Sequence, residues 1–133
     1  MDKTALVEKQ VEEGKLLLSE LDKRKLDIKA AFWIYDDSYS SWKLMIASSS
    51  NSLDVKNDVL KAYGVLTEVI RSIPNLSTLS GSDVVLIPVD HPLIKNIAPL
   101  IETGTEIANI TLSKTLVNEA YIEGMHLYRM NLN

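Results

Sequence analysis

The sequence predicts an α+β fold: a mainly antiparallel sheet of about five strands, with two long helices packed against one face. Apolar residues recur at helical spacing near the amino terminus and again over residues 55–73. They alternate at period two over 28–35 and 42–48 and form a continuous run at 83–89. The predicted order of elements is α-β-β-α-β-α-β-β, in a single domain that spans residues 1–133.

The first helix is predicted over residues 3–24. Its apolar face repeats at steps of four and three residues, through Val7, Val11, Gly14, Leu18 and Leu21. Because Gly14 carries no side chain, it permits a close approach by another backbone. The opposite face is densely charged, so this helix should lie at the surface with one buried edge.

Two strands follow and are predicted to form a hairpin. Residues 28–35 (IKAAFWIY) and 42–48 (WKLMIAS) are rich in aromatic and β-branched side chains and alternate at period two. The connector between them, DDSYSS, is polar and begins with residues that favour turns. The pattern therefore indicates a hairpin with a loop of about six residues.

A second helix and a buried strand are predicted next. Asn51, with Asp54 three residues later, suits a helix N-cap with an acidic residue in the first turn. The helix must end before Pro74, because proline disfavours helical backbone at the residue that precedes it. The run DVVLIPV at 83–89 is typical of a central strand that is buried on both faces.

The last three elements are a short helix and two strands. Asp90 is predicted to cap a helix that begins at His91-Pro92, since proline is tolerated in the first turn. Residues 106–117 and 121–130 alternate and are predicted to be the final strands, joined near Asn118-Glu119.

The composition indicates a folded, soluble protein. Apolar residues make up 46% of the chain and charged residues 24%, which argues against global disorder. A net charge of −4 with scattered lysines and arginines argues against a dedicated nucleic-acid partner. The absence of cysteine excludes disulfides, thiol catalysis and cysteine-ligated zinc.

The amino-terminal residues MDKTALVEKQVEEGK lack the apolar segment of a signal peptide. The longest apolar runs are shorter than the about 18–20 residues that a membrane span needs. We therefore expect a cytoplasmic protein with no membrane partner.

The pattern AFWIY…WKLMIAS, with YIEGMHLYRM near the carboxyl terminus, resembles a family of small bacterial proteins that has no assigned function. The resemblance covers the first hairpin and the final strand, at positions that are mostly aromatic and aliphatic. It implies a bacterial origin and a shared core, and it transfers no active-site residue.

Adjacent carboxylates at the end of the first strand raise the question of a metal site. Asp36 and Asp37 could hold Mg²⁺ if a third acid converged on them. Asp54 and Asp58, which follow the partner strand, are the nearest candidates by topology. Asp54-Val55-Lys56 also has the spacing of an acid-x-Lys nuclease element, although it opens a helix here. The alternative is that the aspartates mark a solvated turn and a helix start.

The two histidines are the side chains whose ordinary pKa lies nearest neutrality. His91 follows a buried strand, where open α/β sheets tend to place ligands, and Asp90 could orient it as a general base. The alternative is a helix cap beside an exposed first-turn residue. His126 alternates with Tyr128 on the last strand and is predicted to be packed or at the surface.

The aromatic residues of the first hairpin are candidates for a partner-binding surface, since tryptophan and tyrosine dominate protein contacts. They are Trp33, Tyr35, Tyr39 and Trp42. Core packing is the competing explanation, and a stacking surface for a small ligand or for nucleic acid is a third.

The resulting hypothesis is a non-catalytic protein-interaction or oligomer-forming module that needs no cofactor. It rests on the aromatic hairpin and on the absence of a nucleophile motif, a glycine-rich phosphate loop and a basic patch. The first alternative is a metal-dependent hydrolase or nuclease that uses the clustered aspartates. The second alternative is a small-ligand-binding domain.

Overall fold

The structure is a computed structural model that describes residues 6–36, 38, 40–118 and 120–132, with only the backbone of Asp36. Within these ranges the chain forms three α-helices and five strands, with a 3₁₀ turn on each side of the second helix. In chain order they are α1 (Glu8–Lys23), β1 (Ile28–Asp36), β2 (Ser41–Ser48), α2 (Val59–Ser72), β3 (Val84–Ile87), α3 (Pro92–Ile97), β4 (Ile110–Val117) and β5 (Ala120–Met130).

The five strands form one mixed sheet in the order β3-β2-β1-β5-β4. β1 pairs antiparallel with β2 and β5, and β4 pairs antiparallel with β5, whereas β2 and β3 are parallel. The prediction of a mainly antiparallel sheet is therefore wrong. The physical reason is that α2 crosses over between β2 and β3 and returns the chain to the same end of the sheet. The element order also differs, because the 3₁₀ turns Asn51–Leu53 and Gly81–Asp83 were not predicted.

β3 lies at an edge of the sheet, so the prediction of a central strand at 83–89 is wrong. Its apolar run is nevertheless buried on both faces. Val84 and Leu86 pack in one core cluster, and Ile87 packs in the other. A continuous apolar run indicates that both faces of a strand are buried. An edge strand that lies between two layers of helices is buried in the same way.

Helices cover both faces of the sheet. On the first face, Leu17 of α1 and Leu66 of α2 belong to the same buried cluster as Trp33 of β1. On the second face, Ile94 of α3 packs with Phe32 of β1 in a separate cluster. The two long helices therefore share one face of the sheet, and α3 with the chain that follows it covers part of the other.

Gly14 is a point of close approach, although the group that approaches is a side chain and not the backbone that was predicted. A Cβ atom added there would lie 2.4 Å from the hydroxyl oxygen of Tyr128, so α1 can pack this tightly only without a side chain. The Tyr128 hydroxyl accepts a hydrogen bond from Trp33 Nε1 at 2.9 Å and donates one to the Val11 carbonyl. Burial raises the pKa of Tyr128, so its hydroxyl keeps the proton that this second bond requires.

Two buried charged side chains hold neighbouring segments of the chain against this core. Glu13 is 3% exposed, and its carboxylate accepts from the backbone N–H groups of Ser77, Thr78 and Leu79. Arg129 is 4% exposed and makes a bidentate pair with Asp22, with both distances 2.9 Å. The first tie fixes the loop after α2, and the second fixes the carboxyl end of α1 against β5.

The start of α2 differs from the prediction. Asn51 begins a 3₁₀ turn instead of capping α2, and Asp58 is the N-cap, accepting from the Lys61 N–H at 3.0 Å. The delay arises because Asp54 turns the chain locally, accepting from the Lys56 N–H at 3.0 Å. The predicted stop before Pro74 is confirmed, since α2 ends at Ser72.

In the described part of the chain, no helix combines the length and the apolar composition that a membrane crossing requires.

Candidate functional site

The side chain of Trp42 lies across the sheet from β2 towards β5. β1 separates these two strands, yet a Cβ atom added to Gly124 on β5 would lie 2.6 Å from Trp42 Cη2. The indole ring can therefore rest on β5 only because position 124 carries no side chain. On β1, the Tyr35 ring meets the indole edge-on, with ring centroids 5.7 Å apart.

A cleft of about 430 Å³ opens beside this ring, and we refer to it as the Trp42 cleft. The start of the chain and α1 provide an apolar wall, and β4 and β5 provide polar side chains. Its lining includes Leu6, Val11, Trp42, Gly124 and His126. The volume lies in the roughly 300–1,000 Å³ range that is usual for ligand-binding pockets.

His126 is held in place by two side chains next to the Trp42 cleft. Its Nδ1 lies 3.0 Å from Thr111 Oγ1, and its Nε2 lies 3.3 Å from Asn109 Oδ1. Desolvation and the nearby charge of Lys15 lower the pKa of His126, so the ring is neutral at pH 7. A neutral ring that donates from Nε2 and accepts at Nδ1 satisfies both contacts.

The indole Nε1 of Trp42 is buried and has no hydrogen-bond partner among the residues that the structure describes. Leaving a buried donor unsatisfied costs about 1–3 kcal/mol, so such a group is uncommon and calls for a specific explanation. Within the described residues, Trp42 thus combines a half-buried aromatic ring, an adjoining cleft and an unused donor.

The four aromatic residues predicted to bind a partner have different environments. Trp33 is fully buried in the core, which leaves it no surface with which to contact another molecule. Tyr35 and Trp42 are half-buried and contact each other, and Trp42 lines the cleft. Tyr39 lies outside the described residues.

Asp90 and His91, the predicted catalytic pair, have separate hydrogen-bond partners in the structure. His91, and not Asp90, caps α3, with Nδ1 accepting from the Leu93 N–H at 3.1 Å. Asp90 instead accepts from Lys56 Nζ at 2.6 Å, and this bond lowers the pKa of Asp90. The prediction that Asp90 caps the helix is therefore wrong, because Lys56 from the preceding crossover supplies a cationic partner.

Of the predicted metal ligands Asp36, Asp37 and Asp54, Asp54 is the one whose side chain is described. It lines a cavity at one end of the sheet together with Asp90, which was predicted as a catalytic residue and lies far from it in sequence. Among the described residues, no three acidic or histidine side chains converge to hold a metal ion. Asp37 and the side chain of Asp36 lie outside the description, so the metal site that includes them stays a prediction.

Sequence reasoning missed Gly124 and the placement of His126 beside the cleft. A glycine within a strand often marks a close approach by another group, and that signal was present in YIEGMHLYRM. Nothing local indicated that the approaching group was a tryptophan two strands away.

No family model matches the sequence, and no curated protein or solved structure matches it either. The similarity to small bacterial proteins therefore stays an expectation.

Proposed function

We propose that the protein is a non-catalytic protein-interaction module, in which the Trp42 cleft receives an apolar side chain and a carbonyl oxygen from a protein partner. The observation that carries the proposal is that the buried Nε1 of Trp42 has no partner among the described residues, while the Trp42 side chain lines the cleft. A backbone carbonyl is the most abundant acceptor that a protein partner can offer to this donor.

The lining of the Trp42 cleft suits a side chain of a partner. Leu6 and Val11 line the cleft together with Trp42, so an inserted apolar group would be removed from water. Tryptophan and tyrosine side chains in partly enclosed positions are the usual energetic centres of protein interfaces. Tyr35 supports the indole from the side.

A non-catalytic role fits the state of His126. Both of its ring nitrogens are engaged by neighbouring side chains, and the lowered pKa of His126 leaves it a weak base. These contacts hold the ring as part of the wall of the cleft, where it can shape specificity without moving a proton.

Strand addition at the sheet edges is disfavoured as a binding mode. In β4, Lys114 has left-handed backbone (φ 46°) and an exposed charged side chain, which interrupts a regular edge. At the other edge, β3 has four residues and is followed by Pro88, which has no N–H to donate. A partner is therefore expected to bind by inserting a side chain.

We propose further that the partner can be a second copy of this chain and that the module acts in the cytoplasm of a bacterium. Size-exclusion chromatography with light scattering tests the first point, because a dimer formed through the cleft should dissociate in the Gly124→Ala variant.

The main test is retention of a partner from cell lysate, after nuclease treatment, by wild type and two variants. Gly124→Ala places a methyl group where the indole rests and should expel the ring, whereas Leu60→Ala changes a side chain that is 87% exposed on α2. Wild type and Leu60→Ala should retain the same protein in stoichiometric amount, and Gly124→Ala should lose it. Equal retention by all three, or retention of none, would refute the proposal.

A further inference from the structure

The carboxyl ends of β2 and β3 form a second candidate site, independent of the Trp42 cleft. The two strands are parallel neighbours, and the chain leaves them towards opposite faces of the sheet. After β2 it runs to α2, which packs on the first core cluster, and after β3 it runs to α3, which packs on the second. Divergent connections of this kind open a crevice between the strand ends, where α/β sheets commonly bind ligands.

A cavity of about 300 Å³ is present at this position, and we refer to it as the switch-point crevice. Its polar lining includes Ser48, Ser50, Asp54, Lys56 and Asp90. The first four residues follow or end β2, and Asp90 follows β3, so the two sides of the crevice belong to the two diverging connections. Its volume is at the lower end of the range for ligand pockets and suits a molecule of one amino-acid size.

One ion pair connects the two sides of the crevice. Lys56 Nζ lies 2.6 Å from Asp90 Oδ2 and joins the β2 side to the β3 side. Both side chains are more than half exposed, at 59% and 52%, so water screens this pair and it contributes little to stability. A ligand that supplied a partner to each charge could separate the pair at small cost.

The charged side chains of the crevice define the charges that a ligand must carry. Asp90 and the neighbouring Asp54 offer carboxylates to a cation, and Lys56 offers an ammonium to an anion. The Ser50 hydroxyl accepts from the Ser52 N–H and can direct its own O–H towards a bound carboxylate. A ligand with a single charge would satisfy one side and would leave the other side without its present partner.

We propose that the switch-point crevice binds a small zwitterion, namely a free α-amino acid. The ammonium group of the ligand replaces Lys56 at Asp90, and the carboxylate of the ligand replaces Asp90 at Lys56. The ion pair is exchanged for two, one on each side of the crevice, so binding draws the two connections onto the same molecule.

The test is isothermal titration of the full chain with the twenty free amino acids at millimolar concentration. For each one that binds, the matched probes are its N-acetyl derivative, which lacks the ammonium, and its amide, which lacks the carboxylate. At least one free amino acid should bind saturably, and both derivatives should bind at least about tenfold more weakly. The proposal is overturned if no amino acid binds, or if either derivative binds as well as its parent.

Three variants locate the binding. Lys56→Met and Asp90→Asn should each weaken binding at least about tenfold, because each removes one of the two charges with which the ligand pairs. Lys61→Met, which changes another exposed lysine at the start of α2, should bind like wild type. Circular dichroism should show the same fold in all three, since every substituted side chain is exposed. Unchanged binding by Lys56→Met would overturn the assignment to this crevice.

Discussion

Replacing Glu13 by glutamine should destabilise the fold, and the effect should depend on pH. The buried carboxylate accepts hydrogen bonds from three consecutive backbone N–H groups and from the hydroxyls of Ser77 and Thr78. Desolvation favours the neutral acid, but the backbone hydrogen bonds outweigh it and lower the pKa of Glu13 from 4.5 to about 2. A difference of that size between the unfolded and folded chain corresponds to roughly 3 kcal/mol of stability.

The direction of the pH effect follows from the lowered pKa. Because Glu13 holds its proton less tightly in the folded chain, its contribution is complete above pH 4.5 and is lost as the pH falls towards 2. Glutamine has the same shape and does not titrate, and its amide nitrogen would face the Ser77 N–H where a carboxylate oxygen now accepts. At pH 7 the variant should be about 2–3 kcal/mol less stable than wild type, and at pH 3 the difference should be below about 1 kcal/mol.

Urea unfolding followed by circular dichroism at pH 7, 5 and 3 measures these differences directly. Glu12→Gln is the matched control, because it removes the same charge from an exposed position one residue earlier. That control should stay within about 0.5 kcal/mol of wild type at every pH. A loss below about 0.5 kcal/mol for Glu13→Gln at pH 7, or a loss that persists at pH 3, would refute the role assigned to this carboxylate.

Three further predictions concern stability and can be checked by thermal or urea unfolding. Gly14→Ala places a methyl group 2.4 Å from the hydroxyl oxygen of the buried tyrosine and should cost about 1–3 kcal/mol. The matched change Gly64→Ala, in α2 with nothing within 4 Å, should stabilise by about 0.5–1 kcal/mol, and equal effects would contradict the packing. Asp22→Ala leaves a buried arginine without its carboxylate and should cost about 3–5 kcal/mol, whereas a loss below about 1 kcal/mol would show that the arginine finds water. Asp58→Ala should cost about 1 kcal/mol as the true N-cap of α2, and a larger loss for Asn51→Ala would reverse that assignment.

The sequence predicted the candidate sites less well than the elements that carry them. The aromatic hairpin was recognised, but its alternation could not tell which side chain the rest of the chain would cover. Trp33 packs against α1 and is fully buried in the core. Trp42, on the neighbouring strand, is only half-buried and borders a cleft. The difference depends on where α1 lies over the sheet, which is a property of packing.

The acidic residues illustrate the same limit. Asp54 and Asp90 were each noticed, but their shared cavity exists only because β2 and β3 are parallel and adjacent. The cap assigned to Asp90 failed for a related reason. The Asp90 carboxylate pairs with Lys56, which is distant in sequence, and His91 occupies the capping position.

The sequence by itself determined the features that depend on local backbone chemistry and on the period of apolar residues. It indicated the amphipathic helix with Gly14 at its closest contact, the hairpin of β1 and β2, and the end of α2 before Pro74. Only the tertiary structure decided the strand order, the parallel pairing of β2 and β3, and the residues that border each cavity. These depend on which distant segments meet, because the face of a strand that becomes core is set by the helices that cover it.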